Sequence, residues 1–93
     1  MISTLTINSK KVNVVAKIIE KRQPREVNTK FGRKLVGEAI IEDSTGRMSL
    51  VLWEDEINNV KEGETIKIEN GYVTEWNGVL QLNVGKYGTM KVL

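Results

Sequence analysis

Neither cysteine nor histidine occurs anywhere in the 93 residues. The missing thiol excludes disulfide staples and thiolate nucleophiles. With imidazole absent as well, most general-base, nucleophile and zinc-ligand arrangements are removed. Proline occurs once, at Pro24, so no proline-rich linker divides the chain. No uncharged apolar stretch approaches the ~20 residues of a membrane-spanning helix, and no signal-peptide pattern opens the sequence. Repeats and low-complexity tracts are missing, and helical periodicity is nearly absent. Aromatic residues are few: Phe31, Trp53, Tyr72, Trp76 and Tyr87 make up 5% of the chain. The expectation is one small domain, residues 1–93, with a cytoplasmic location, no cofactor, no metal and no membrane contact.

What is present is unevenly placed. The formal net charge is only +2. Residues 1–47 carry ten Lys and Arg against five Asp and Glu, whereas residues 48–93 carry four against seven. The basic half is a candidate for a polyanionic partner; a solvated, lysine-rich surface is the plainer alternative.

Apolar residues recur with period two. Val12, Val14, Ala16 and Ile18 share one face of a first strand over residues 12–20, with room to run on to Arg22. Residues 23–33, QPREVNTKFGR, hold Pro24, Gly32, Arg25, Lys30 and Arg33 and read as a long exposed loop. A second strand over 34–43 offers Leu35, Ala39 and Ile41 to the core, and Asp43-Ser44-Thr45-Gly46 reads as a tight turn. In a third strand over 47–53, Met48, Leu50 and Leu52 alternate with Ser49, Val51 and Trp53, which places Trp53 outward. Residues 54–62 are the one helix candidate, with acids at its start and Gly63 as its stop.

A fourth strand begins near Glu64 with Ile66 and Ile68 inward. Strict alternation would also bury Tyr72, Thr74 and Trp76. Asn70-Gly71 instead marks a bulge, and a one-residue shift turns Val73 inward and those three outward. Asn77-Gly78 is a two-residue hairpin signal. The fifth strand, 79–84, has Leu80, Leu82 and Val84 inward and Gln81 and Asn83 outward. This order predicts an all-β, five-stranded OB-fold Greek-key barrel with one short helix between strands three and four. An SH3-like barrel is the competitor, but it usually lacks that helix.

Tryptophan and tyrosine often fill the core of a small β domain. Here Val, Ile, Leu, Ala and Met already occupy the inward positions. Trp53, Tyr72 and Trp76, outward beside a basic loop, would form a stacking platform for unpaired bases, worth ~1–3 kcal/mol per base. Gln81 and Asn83 share that face, either bonding base edges and sugars or simply solvated. Phe31, flanked by Lys30, Arg33 and Lys34, either folds back as a lid or touches a partner. Tyr87 either packs on the barrel end or extends the platform.

Four stretches, VNVVAKIIE (12–20), GEAIIEDSTGRMSLVLW (37–53), VKEGETIKIENGY (60–72) and NGVLQLNVG (77–85), resemble the crenarchaeal single-stranded DNA-binding proteins. Their OB domain is shared by the short human single-OB proteins of DNA repair and by replication protein A. The resemblance covers roughly residues 5–88. It implies an aromatic trio that stacks bases at Trp53, Tyr72 and Trp76, and basic contacts from Lys30 and Arg33. Family members commonly carry a flexible Gly/Arg-rich tail with an acidic end that recruits partner proteins. These residues stop at Leu93 without one, so replication or repair partners reached through a tail remain an open expectation.

The combined expectation is sequence-tolerant binding of single-stranded DNA in replication, recombination or repair, nucleoid-associated and without catalysis. Lys17, Arg25, Lys30, Arg33 and Lys34 would pair with phosphates, and Trp53, Tyr72 and Trp76 would stack bases. Three alternatives remain. They are single-stranded RNA on the same face, a protein-interaction module docking through the acidic segment 54–64, and a metal-dependent nuclease using Glu38, Glu42 and Asp43.

Overall fold

The computed structural model describes residues 2, 5, 6, 9–76, 78–84 and 88–93, with the backbone alone for Asp55 and Trp76. Seven strands are described: β1 (Val12–Lys21), β2 (Arg25–Thr29), β3 (Gly32–Asp43), β4 (Gly46–Trp53), β5 (Thr65–Trp76), β6 (Val79–Asn83) and β7 (Thr89–Val92). Five of them close a ring. β1 pairs antiparallel with β3, β3 with β4, β5 with β6 and β1 with β5, and a parallel β4–β6 pairing completes the circuit. This is the five-stranded OB-fold barrel that the strand order predicts.

Alternation builds the core. Val12, Val14, Ala16 and Ile18 on β1, Ala39 and Ile41 on β3, Met48, Leu50 and Leu52 on β4, Ile66 and Ile68 on β5, and Leu82 on β6 are all buried. Branched aliphatic side chains suit this pleated interior. Asp43 organises the β3–β4 turn. Its Oδ1 accepts from the Thr45 N–H at 2.7 Å, the Thr45 hydroxyl at 2.5 Å and the Gly46 N–H at 3.1 Å. Its Oδ2 accepts from the Ile2 N–H at 2.9 Å. These bonds, the Thr45 hydroxyl foremost, hold its pKa at about 2, below the ordinary 3.8.

The structure departs from the sequence reading in four places. Residues 23–33 are not a loop: β2 pairs with the start of β3 from Arg25↔Val36 to Thr29↔Gly32, a hairpin turning through Lys30 and Phe31. Thr29 Oγ1 closes it, accepting from the Phe31 N–H at 3.1 Å and donating to the Gly32 carbonyl at 2.8 Å, while Gly32 sits at φ +106°. Because β2 has no fully buried position, it leaves no hydrophobic alternation to read. Leu35 falls in this hairpin, beyond the barrel, and is 42% exposed rather than a core contact.

The expected helix over 54–62 is only a 3-10 turn, Glu54–Asn58. Ile57 within the turn and Val60 just after it are both buried. Ile57 packs over Gly37, where an added Cβ would lie 3.1 Å from Ile57 Cγ1. The chain then returns to β1, with the Gly63 N–H donating to the Ile18 carbonyl at 2.7 Å. The fourth departure is β7, an exposed strand on β5. Its sequence, Thr-Met-Lys-Val, is too short and mixed to signal a strand.

The bulge inferred at Asn70-Gly71 is present. Between the pairs Val12↔Gly71 and Val14↔Ile68, β5 uses one more residue than β1. Asn70 takes a positive φ of 57°, and a Cβ on Gly71 would lie 2.9 Å from the Asn83 carbonyl. Gly71→Ala should therefore cost about 1–3 kcal/mol in a urea denaturation experiment. Gly46→Ala, whose Cβ would meet only Ile2 Cγ2 at 3.7 Å, should change little. Asp43 also predicts a pH dependence. Because its folded pKa is depressed, its contribution is complete above the ordinary carboxylate pKa and is lost as pH falls from about 4 toward 2. Thermal melts across that window should show the wild type losing more stability than Asp43→Asn.

Candidate nucleic-acid interface

The outward residues of β3, β4, β6 and β5 fall into rows. Val36 lies opposite Trp53, and Glu38 lies opposite Val51. Val51 and Ser49 neighbour Asn83 and Gln81 across the parallel pair. Asn83 faces Tyr72, Gln81 faces Thr74, and Val79 faces Trp76. The β2–β3 hairpin rises beside these rows and leaves a groove of about 600 Å³. Arg22, Arg25, Val27 and Thr29 line one side, and Val36, Glu38, Val51, Trp53, Thr74, Gln81 and Asn83 line the rest.

Trp53 and Tyr72 are 39% and 41% exposed. Both outward placements follow the sequence reading, Trp53 from alternation and Tyr72 from the bulge that buries Val73. The Trp76 backbone pairs by register with Val79; its side chain, Asn77 and Tyr87 lie outside the described residues. Gln81 faces outward as read. Asn83 does too, but it is only 7% exposed, because its Nδ2 is drawn onto Thr74 Oγ1 at 2.9 Å in the groove floor.

The basic candidates divide. Arg25 lines the groove. Lys34 shares the Arg25 and Val36 face of the hairpin by register and lies 4.0 Å from Glu54. Arg33 lies on the opposite hairpin face, 3.7 Å from Glu26. Lys30 and Phe31 form the hairpin tip; Phe31 is 79% exposed, with Lys30 Nζ 5.3 Å from its ring centre. Lys17 pairs by register with Glu42 and Thr65 on β1's two sides, apart from the groove. Arg22 was not among the sequence candidates. It lines the groove and pairs with Glu38 at 3.3 Å, and only its position at the end of the first strand hinted at this.

The family model for single-stranded DNA binding protein Ssb-like OB folds matches residues 2–92. The chain belongs to this family. The single-stranded DNA binding protein Ssb of Saccharolobus solfataricus is 39% identical over 84 residues, 90% of this chain and 57% of that protein. This chain spans a little over half the length of the curated relatives it matches. Among solved structures, an OB domain from Thermoplasma acidophilum superposes with a TM-score of 0.86 at 24% identity, covering 99% of this chain and 83% of that one. A replication factor A related protein from Methanobacterium thermoautotrophicum gives 0.82 at 26%, covering 100% and 88%.

Within this Ssb-like domain, the carboxylates weighed for metal chemistry have other work. Glu38 holds Arg22 and Gln81. Glu42 pairs with Arg47, and Asp43 builds its turn. The outward placement of Trp53 yields a direct test. Trp53→Ala should cost about 1 kcal/mol or less in stability, as a surface change does, whereas Leu52→Ala in the core should cost about 2–5 kcal/mol. Chemical denaturation of the two variants measures the contrast.

Proposed function

We propose that this chain binds single-stranded DNA along the groove between the β2–β3 hairpin and the β4–β6–β5 face. The observation that carries the reading is the pair Trp53 and Tyr72. Both are large aromatic side chains held outward on strands and about two-fifths exposed; Trp53 lines the groove, and Tyr72 pairs by register with Asn83, which also lines it. Membership of the Ssb-like family supports it. A relative named as a single-stranded DNA binding protein, 39% identical, supports it further.

In this reading Trp53, Tyr72 and Trp76 stack successive bases, and every base offers a π-face, so sequence matters little. Arg25 and Lys34 pair with phosphates from the hairpin side, and Lys30 and Phe31 reach over the strand from the tip. Lys17 and Arg33, farther out, act on the electrostatic approach of the polyanion. The ion pairs of Arg33 and Lys34 are exposed and worth little individually, so phosphate can replace the carboxylates. The module binds and protects; it performs no bond chemistry. Service in replication, recombination or repair, in the nucleoid-associated cytoplasm, belongs to the same proposal.

Titration with a dT oligonucleotide at low salt should quench tryptophan fluorescence. Trp53→Ala should weaken binding by roughly 5- to 150-fold, the equivalent of ~1–3 kcal/mol. With three or four phosphates paired, the logarithm of the affinity should fall with log salt at a slope of about −2 to −3. No quench and no mobility shift with dT would end the proposal. Tighter binding to a matched RNA would redirect it to RNA.

A further inference from the structure

We infer that the groove floor favours bases with an exocyclic amino group over thymine, and that Asn83 and Gln81 set this preference. The inference rests on the DNA-binding reading above and sharpens it. Asn83 is a polar side chain only 7% exposed, and its amide is not free to turn. Nδ2 donates to Thr74 Oγ1 at 2.9 Å and to the Gln81 backbone carbonyl at 3.4 Å. A carbonyl only accepts, so nitrogen rather than oxygen must face it. Oδ1 is therefore the free end, and no donor among the described residues meets it. Nor is it sealed in: among the described residues, no solvent-inaccessible side-chain nitrogen or oxygen lacks a hydrogen-bond partner. An unpaired Oδ1 must then be open, and Asn83 lines the groove.

Gln81 repeats the arrangement two residues earlier. Its Nε2 donates to Glu38 Oε2 at 3.4 Å, and a carboxylate likewise only accepts. Arg22 anchors the other Glu38 oxygen at 3.3 Å. Two amides on β6 thus turn their N–H groups toward the protein and leave carbonyl oxygens for a ligand. Thr74 Oγ1 accepts from Asn83, so its hydrogen remains to donate.

This set of two acceptors and one donor suits cytosine. Its N4 amino group carries two N–H donors, one each for Asn83 Oδ1 and Gln81 Oε1, while N3 or O2 accepts from Thr74. Adenine and guanine also bring amino donors. Thymine and uracil bring a single donor, N3–H, which can meet only one of the two amide oxygens, and their O4 carbonyl sets acceptor against acceptor at the other. One neutral hydrogen bond is a modest increment, so binding stays sequence-tolerant with a bias at this position.

Oligonucleotides of dC and dU of equal length carry the same phosphates and differ only in the C4–N3 edge. At mildly alkaline pH, where cytosine stays unprotonated, dC should bind about two- to tenfold more tightly than dU. Asn83→Ala and Gln81→Leu should each move that ratio toward one by weakening dC binding more than dU binding. Gln81 is half-buried on the outer face, so its variant carries the test if Asn83→Ala fails to fold. Equal binding, tighter dU binding, or a dC preference that survives both variants overturns the inference. If neither oligonucleotide binds, the DNA-binding reading itself falls, and this inference with it.

Discussion

Asn70 and Gly71 hold β5 in a bend on which both the barrel and its outer face depend. Below the bend β5 pairs with β1, and at Tyr72 it begins to pair with β6. An unbroken strand would keep Tyr72 in phase with Ile66 and Ile68, inside the barrel, and leave Val73 outside. The extra residue reverses that phase. Asn70 adopts a left-handed backbone, and the missing Cβ of Gly71 lets the Asn83 carbonyl come close. One irregularity of the backbone thus completes the core with Val73 and places Tyr72 and Thr74 beside Gln81 and Asn83.

The electrostatics of the outer face follow from how its charges are engaged. Arg22, Arg33 and Lys34 all lie within ion-pair distance of carboxylates, and every one of these pairs is substantially exposed. Such pairs hold side chains near a position without committing them, because solvent screens most of their attraction. The groove and its surroundings therefore offer paired but exchangeable cations, Arg22 within the groove and Lys34 and Arg33 on the hairpin beside it. That arrangement is consistent with a net charge of only +2 and with the proposed function, in which stacking on Trp53 and Tyr72 matters more than long-range attraction.

Much of this was legible before any fold was known. Period-two alternation identified the inward residues of β1 and β4 because each of those strands has one face in the core and repeats its signal along its length. Asn70-Gly71 and Asp43-Ser44-Thr45-Gly46 were legible because their backbone requirements are local. The β2 strand, β7 and the 3-10 turn were not. β2 and β7 have no fully buried face to impose a pattern, and the Glu54–Asn58 turn is shaped by Ile57 fitting over Gly37 on a strand distant in sequence. Leu35 shows the same limit: its phase along β3 is right for the core, but the barrel ends before it.

By itself, then, the sequence determined which side of each barrel strand faces the interior, where the turns fall, and that Trp53 and Tyr72 face outward. These are local properties, set by side-chain period and by backbone angles that few residues tolerate. Only the tertiary structure decided that the β2–β3 segment rises as one wall of a groove, and that Arg22 and Arg25 join Trp53 there while Lys17 and Arg33 do not. It also decided that the Asn83 and Gln81 amides are locked with their oxygens free. Those outcomes depend on which strands become neighbours when the β4–β6 pairing closes the barrel, and no local pattern encodes that closure.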